Sequence, residues 1–428
     1  MSYELGVWLG DDHVAVIREQ RTGSITLEYT DDAAKRFPVG RPLLSVSMPL
    51  RPGHRYPPAV TGAWLEGLLP EGEARTQIEA NFDVRRGDVF DLLAEIGRDC
   101  AGAVQFIPPG EGPATPPQPS DREELSFTDL ADAVAALPER PLGAGDEVRL
   151  SLAGQQPKLL LIRDEDGGYR WPRGGAPSTH ILKPGDDRFP RMVDNEAFCL
   201  AVARELGLTT IDVTTHNVGG KAVLVVERYD RARGADGTIR RIHQEDACQA
   251  LAVQLGASGD GKYEANGGPS FADVARILDL HNGSLDETRR LVEVMTMTVA
   301  LGNADAHGKN LSFLLPPRGR LRLAPLYDVV STIQYAEVAG DLVPRQVSRQ
   351  LAMAIDGHWS IDEITRDHLV AEGAGWHVAT QVPATVDNIL QRLPAAVESA
   401  APASVPDQFV ETVLRRIENL RNGHSAGA

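Results

Sequence analysis

Between positions 108 and 119 the chain reads Pro108-Pro109-Gly110-Glu111-Gly112-Pro113-Ala114-Thr115-Pro116-Pro117-Gln118-Pro119, six prolines in twelve residues. Each proline fixes φ and removes a backbone donor, so neither a helix nor a central strand can run through it. Such a run is a stiff, exposed spacer. It makes 108–120 a linker and divides the 428 residues into an N-terminal part, 1–107, and a longer remainder. A chain of this length suggests two or three domains.

The two sides of the linker read differently. Before it, Tyr3–Leu9, His13–Glu19 and Ser24–Thr30 alternate or are β-branched and are separated by Gly10-Asp11-Asp12 and Arg21-Thr22-Gly23. That is the pattern of a strand meander. Helical spacing follows around Ala63–Leu69 and Val89–Ile96. After the linker, Lys158–Arg163, Thr179–Lys183 and Val223–Tyr229 read as strands, with a helix over Asn195–Leu206 that Gly207 stops. From position 230 the chain reads as mainly helical, with helices over Gln244–Leu255, Asp286–Leu301 and Asp407–Leu420 and one hairpin, Leu311–Leu315 with Leu321–Leu323. The layout is α+β, a β-rich lobe followed by a helical one. A nucleotide commonly binds in a cleft between two such lobes.

Composition removes several classes of function. The net charge of −17 repels phosphate backbones, so direct binding to nucleic acid is disfavoured while a basic partner is attracted. Cys100, Cys199 and Cys248 are far apart and odd in number, which speaks against a disulfide framework or a zinc site and for a reducing cytoplasm. The first thirty residues lack a basic start and an apolar run, so no secretory leader is expected. No apolar stretch approaches the roughly 18–20 residues that span a membrane, and no membrane association is expected.

The segment richest in chemistry is Gly302-Asn303-Ala304-Asp305-Ala306-His307-Gly308-Lys309-Asn310, a polar loop between an apolar helix and a strand. Asn310 follows Asp305 by five residues, and Asp328 lies beyond the hairpin in Ala324-Pro325-Leu326-Tyr327-Asp328. In a protein-kinase catalytic loop one Asp accepts the proton of the attacking hydroxyl, an Asn five residues later holds magnesium, and a second Asp beyond a hairpin holds magnesium at the β- and γ-phosphates. Asp305 is the base candidate, and Asn310 and Asp328 are hard oxygen ligands suited to Mg2+. His307 and Lys309 can offset charge on phosphates.

Three further features fit the same chemistry, and each also admits a plainer structural reading. Ser151-Leu152-Ala153-Gly154-Gln155-Gln156-Pro157-Lys158 is a small-residue loop before a strand, where backbone N–H groups can approach phosphates. Lys183 ends an apolar strand in His180-Ile181-Leu182-Lys183-Pro184 and can supply a cation near the α- and β-phosphates. Glu227-Arg228-Tyr229 ends another strand where a hinge between lobes would lie, and its backbone can meet an adenine edge.

Together with Leu68-Leu69-Pro70-Glu71, Asp99-Cys100-Ala101-Gly102-Ala103-Val104-Gln105, Gln244-Glu245-Asp246-Ala247-Cys248-Gln249 and Tyr327-Asp328-Val329, these segments resemble, in order and over nearly the whole chain, the signatures of the HipA family, the kinase toxins of HipBA-type toxin–antitoxin modules. The resemblance implies a two-lobed protein-kinase-like fold related to the phosphatidylinositol kinases. An extra N-terminal β-rich subdomain would occupy 1–107, the kinase N-lobe 121–229 and the helical C-lobe 230–428. It implies a Ser/Thr kinase using ATP and Mg2+. Ala153, Gly154, Gln155, Gln156, Pro157 and Lys158 would form the phosphate loop, Lys183 would contact phosphates, and Glu227, Arg228 and Tyr229 would form the adenine hinge. Asp305 would be catalytic, His307, Gly308, Lys309 and Asn310 would line the nucleotide, and Tyr327 with Asp328 would complete the magnesium side.

The same resemblance makes Ser151 a site of inactivating autophosphorylation. It makes the substrate an aminoacyl-tRNA synthetase, most often the glutamyl enzyme, and the partner a HipB-like helix-turn-helix antitoxin through which DNA is reached only indirectly. Gln155 and Pro157 stand where Ala and Glu are commoner, Leu159 where Thr is, and Tyr229 where Phe is. Pro157 withdraws one backbone donor from the loop. The sequence leaves open a kinase with another substrate and a non-catalytic scaffold for a DNA-binding partner.

Overall fold

The computed structural model describes residues 3–113, 124–145, 148–154, 156–256, 258–282, 284–336, 348–402 and 404–428. Gln155 and half of the proline-rich run, residues 114–119, therefore lie outside the described residues. The chain forms two compact units, one built from Met1–Pro184, His216–Asp260 and Leu314–Gly319, the other from Gly185–Thr215, Gly261–Phe313 and Arg320–Ala428.

The first unit holds two five-stranded sheets. In the first sheet β1 (Tyr3–Leu9), β2 (Asp12–Glu19) and β3 (Ile25–Tyr29) make the expected antiparallel meander. Leu5, Val7 and Leu9 alternate inward along β1. The edges come from β4 (Arg55–Tyr56) and from β5 (Val104–Ile107), which pairs antiparallel with β1. That last pairing is long-range, and no local pattern announces it. Trp64 and Phe106 are fully buried in the core beneath.

The second sheet runs β7-β6-β8-β10-β9. Its strands are β6 (Leu159–Arg163), β7 (Tyr169–Arg170), β8 (His180–Pro184), β9 (Val213–Val218) and β10 (Lys221–Glu227). Both faces of β6 are covered. Leu160 joins the core of the first sheet, while Leu159 and Leu161 pack with Leu130 and Val134 of the helix Phe127–Ala135. A strand buried on both faces reads as a continuous apolar run, which is why Leu159-Leu160-Leu161-Ile162 shows no alternation.

In the second unit the helix Leu285–Leu301 is nearly all buried from Leu291 onward and packs against Phe271–Asn282, Arg366–Gly373, Val382–Ala400 and Asp407–Arg421. It ends at Gly302, whose φ is +72°, and a Cβ there would lie 2.5 Å from Ile333 Cδ1. Only glycine meets both demands. The polar loop therefore starts where a rigid, buried helix stops.

Helices at Met192–Glu205, Leu285–Leu301 and Asp407–Arg421 lie within a few residues of their predicted positions. The helix expected over Gln244–Leu255 does not. Gln244–Asp246 is a strand, and the helix behind it covers only Ala247–Ala250. Asp246 caps that turn through a reciprocal pair with Gln249, and Ala252 adopts φ +52°, which ends it. The spacing of Cys248, Leu251 and Leu255 mimicked a helix that capping and a left-handed residue cut short. Val382–Ala400, by contrast, carries Pro394 in its interior, and tertiary packing of Val386, Ile389, Leu390, Leu393 and Val397 overrides it.

Candidate active site

In the second unit the residues of the 302–310 loop are fixed by hydrogen bonds of the loop itself. Asp305 N–H donates to Asn303 Oδ1 at 3.2 Å, and His307 N–H donates to the Asp305 carbonyl at 2.8 Å. Asn310 turns its amide nitrogen inward to the same carbonyl at 3.1 Å, which leaves its side-chain oxygen for a cation. Tyr327 ties the Asp328 segment to the loop, because its hydroxyl donates to the Lys309 carbonyl at 2.6 Å and lies 2.6 Å from Ser312 Oγ. Asp328 follows with φ +56°, a left-handed conformation that a non-glycine residue keeps only when its surroundings hold it there. Asp305, His307, Gly308, Lys309, Asn310, Tyr327 and Asp328 are thus one constellation within one unit.

Electrostatics link its members. The protein packed around Asp305 desolvates its carboxyl and raises its pKa. Lys262 and a hydrogen bond from Tyr263 oppose that rise, and the negative charge of Asp328 adds to it. His307 is buried, and desolvation with the nearby cations Lys262 and Lys309 lowers it to about 3 against a weaker pull from Asp328. It is therefore neutral at physiological pH, and its Nδ1 has no hydrogen-bond partner among the described residues.

In the first unit the loop that carries Ser151 and Gly154 is clasped by the Leu68–Glu71 segment. The Ser151 hydroxyl, fully buried, donates to the Leu68 carbonyl at 2.7 Å, Pro70 bridges Gly154 in parallel, and Glu71 N–H donates to the Gly154 carbonyl at 3.4 Å. Gly154 has φ +112°, and a Cβ there would meet Lys158 Nζ at 2.6 Å. Lys158 itself donates to the Ala153 carbonyl at 2.9 Å. Gln156 is half-buried and Pro157 exposed, and Gln155 lies outside the described residues.

Beneath that loop lies a buried ion-pair hub. Asp99 Oδ1 accepts from Arg231 at 2.8 Å and Arg241 at 3.2 Å, and its Oδ2 accepts from Ser178 N and Oγ at 2.9 and 2.7 Å. Arg228 pairs with Asp230 and lies 3.7 Å from Asp99. The Asp99 carbonyl accepts from Ser151 N–H at 2.9 Å, and Asp230 accepts from Gly102 N–H at 2.7 Å. Burial opposes ionisation, yet Arg231, Arg241 and Arg228 together hold Asp99 below the usual carboxylate range.

This hub redefines Arg228. Its side chain is buried in the ion pairs, its N–H donates to the Thr179 carbonyl, and its own carbonyl accepts from Arg231 N–H. Arg228 braces the strand end from inside. Glu227 is exposed at the end of β10, opposite His180 of β8, and the Tyr229 hydroxyl donates to Gln244 Oε1 at 3.0 Å. Lys183 is buried within β8, opposite Leu224, rather than exposed at a strand end.

Residues 5–107 match the family model described as the HipA N-terminal domain, and residues 150–401 match the HipA-like C-terminal domain. The chain belongs to the HipA family. It is 30% identical over 365 residues to the Shewanella oneidensis serine/threonine-protein kinase toxin HipA, covering 79% of each chain. It is 36% identical over 433 residues to a Sinorhizobium fredii protein named "Putative kinase Y4mE", covering 99% of this chain and 96% of that one. Its fold matches the solved Shewanella oneidensis complex of HipA, HipB and operator DNA with a TM-score of 0.78 at 27% identity, over 98% of this chain and 99% of that one. A kinase-like α+β fold and the activity of a HipA-family serine/threonine kinase follow.

Sequence reading passed over two groups. One is the hub, although Asp99 and Arg228 stood in quoted segments; charged residues in otherwise apolar, buried surroundings were the available signal. The other is Lys262-Tyr263, which lies against Asp305 (Tyr263 Oη to Asp305 Oδ1, 2.9 Å) and had no motif to mark it. Elsewhere in the second unit Asp356, His358 and His368 bring ligand atoms within 4.8 Å of one another. The two imidazoles stack 3.9 Å apart at 17°, so their in-plane lone pairs run side by side instead of converging on one ion, and His368 Nδ1 already accepts from Thr365 N–H. No helix among the described residues is long and apolar enough to cross a membrane.

Proposed function

We propose that this chain binds ATP with Mg2+ and phosphorylates a protein serine or threonine as the toxin of a toxin–antitoxin pair. The observation that carries the reading is the tether of Tyr327 to the Lys309 carbonyl, which holds Asp328 in register with the Asp305–Asn310 loop. Asp305 accepts the proton of the acceptor hydroxyl as its oxygen attacks the γ-phosphorus and the bond to the β–γ bridging oxygen breaks, leaving ADP. The free side-chain oxygen of Asn310 and the carboxylate of Asp328 suit a hard cation. Bound Mg2+ neutralises charge on the β- and γ-phosphates. Neutral His307 and cationic Lys309 line the nucleotide, and the loop 153–158 with Lys183 receives phosphates, while the backbone of Glu227–Tyr229 meets the adenine.

An aminoacyl-tRNA synthetase, the glutamyl enzyme first, is the substrate we assign. A HipB-like helix-turn-helix protein is the partner, and it carries the contact with DNA. The solved relative is bound to HipB and operator DNA, and a net charge of −17 suits a basic partner. Autophosphorylation at Ser151 would end activity. Its hydroxyl is buried on Leu68, so a phosphate of nearly two negative charges cannot be housed there and the loop must leave its clasp.

Intact mass spectrometry after Mg-ATP, with Asp305→Asn beside the wild type, tests the reading. One phosphate on Ser151, absent from the variant although Mg-ATP still raises its melting temperature, is the expected result. No Mg-ATP stabilisation of a wild type that starts unmodified would refute it in favour of a scaffold. Growth arrest on expression that Asp305→Asn abolishes supports the toxin role, and normal growth points to another substrate.

A further inference from the structure

We infer that Tyr263 is a positioning residue for the base: its hydroxyl holds one oxygen of Asp305 so that the other faces the incoming acceptor hydroxyl. The inference rests on Asp305 being that base. Tyr263 Oη lies 2.9 Å from Asp305 Oδ1 and donates to it, whereas Oδ2 has no hydrogen-bond partner among the described residues. A carboxylate bearing one such bond keeps a single rotamer. The acceptor then meets a fixed lone pair, and the cost of orienting the base is removed from each turnover.

The tyrosine is held as firmly as the group it holds. Its carbonyl accepts from Asn266 N–H and Gly268 N–H, each at 2.9 Å, which closes the segment 260–268 into a tight loop. A Cβ on Gly268 would stand 2.7 Å from Gly261 O, Lys262 C and Tyr263 O, so only glycine lets that loop close. Glu264 Oε2 accepts from Ala354 N–H at 2.7 Å and fastens the loop to the strand Gln350–Ile355. The Tyr263 ring meets His307 edge-on at 5.5 Å, and Lys262 Nζ lies 5.5 Å from its centroid. Thus a segment with no catalytic motif of its own reaches the base through one oxygen atom.

Chemically, the hydroxyl leaves Asp305 a single open oxygen for the acceptor, and removing it should loosen the base.

The test is Tyr263→Phe, which deletes that oxygen and keeps the ring against His307. Phosphate incorporation and ADP release are followed over a range of Mg-ATP concentrations at pH 7.5, with Asp305→Asn in parallel. The expected result is a turnover lower by roughly 10- to 100-fold, the loss of one hydrogen bond to a charged group. The loss should fall on kcat, while the KM for Mg-ATP and Mg-ATP stabilisation stay unchanged. Glu264→Ala should show a smaller loss that Glu264→Gln, which keeps an acceptor for Ala354 N–H, restores. An inactive Asp305→Asn beside a Tyr263→Phe of wild-type kcat would overturn the inference alone. A faster Tyr263→Phe would overturn it too, since the hydroxyl would then be competing with the acceptor. An Asp305→Asn as active as wild type would remove the base reading and the inference with it.

Discussion

Asp99→Asn should destabilise the first unit far more than a one-atom change suggests. Every group around that carboxylate is a donor: the guanidinium N–H groups of Arg231 and Arg241 on one oxygen, Ser178 N–H and Oγ–H on the other. Asn has one acceptor oxygen, and its amide nitrogen would face donors whichever way it turns. The charge balance worsens as well. Arg228, Arg231 and Arg241 now face Asp99 and Asp230; in the variant they face Asp230 alone. Asp99 is fully buried, so water cannot replace the lost partner.

Removing one member of a buried pair costs about 3–5 kcal/mol. At roughly 2–4 °C per kcal/mol for a unit of this size, the melting temperature should fall by roughly 6–20 °C. Thermal and urea unfolding followed by circular dichroism at pH 7.5 measure it. The pH dependence gives a second check. The arginines hold Asp99 below its unfolded value of about 3.9. Its contribution is therefore complete above that pH and lost as pH falls through the depressed native value, so the gap between variant and wild type should narrow below about pH 4. A variant within about 1 kcal/mol of wild type at pH 7.5, or a gap indifferent to pH, would refute the reasoning.

Other outcomes follow from the same geometry. Gly154→Ala forces a side chain to φ +112° and against Lys158 Nζ, and should weaken Mg-ATP binding about 10-fold, read by calorimetry, with the fold retained. Ser151→Ala loses one buried hydrogen bond, worth about 1 kcal/mol in unfolding experiments, and should stay active where the wild type silences itself. An equal amount of phosphate elsewhere on the chain would contradict the second half. Glu245 is buried, accepts from Val46 N–H and has an Oε2 without a hydrogen-bond partner among the described residues; burial pushes it up to about 8. The wild type should therefore lose stability as pH rises from the unfolded value of about 4.3 to about 8. Glu245→Gln should flatten that slope and gain on the order of a few kcal/mol at pH 8 with no gain at pH 4, measured by urea unfolding.

The sequence by itself determined most of the elements and the polar loop that follows the helix Leu285–Leu301. Tyr3–Leu9, Val89–Ile96 and Leu285–Leu301 carry periodicity and capping that act over a few residues, and Asp305, Asn310 and Asp328 carry a spacing that few other chemistries require. Local rules sufficed there because the forces are local: turn chemistry, side-chain period, the reach of one loop. They failed at Gln244–Leu255, where a cap and a left-handed residue outweighed spacing. Only the tertiary structure decided that Asp99 gathers three arginines from 129 to 142 positions away, that Leu68 carries the Ser151 hydroxyl from 83 positions away, and that Tyr263 rests on Asp305 from 42 away. The reason is that a buried charge or hydroxyl must find its partner wherever the chain returns, and desolvation sets the strength of that demand without marking the partner in sequence.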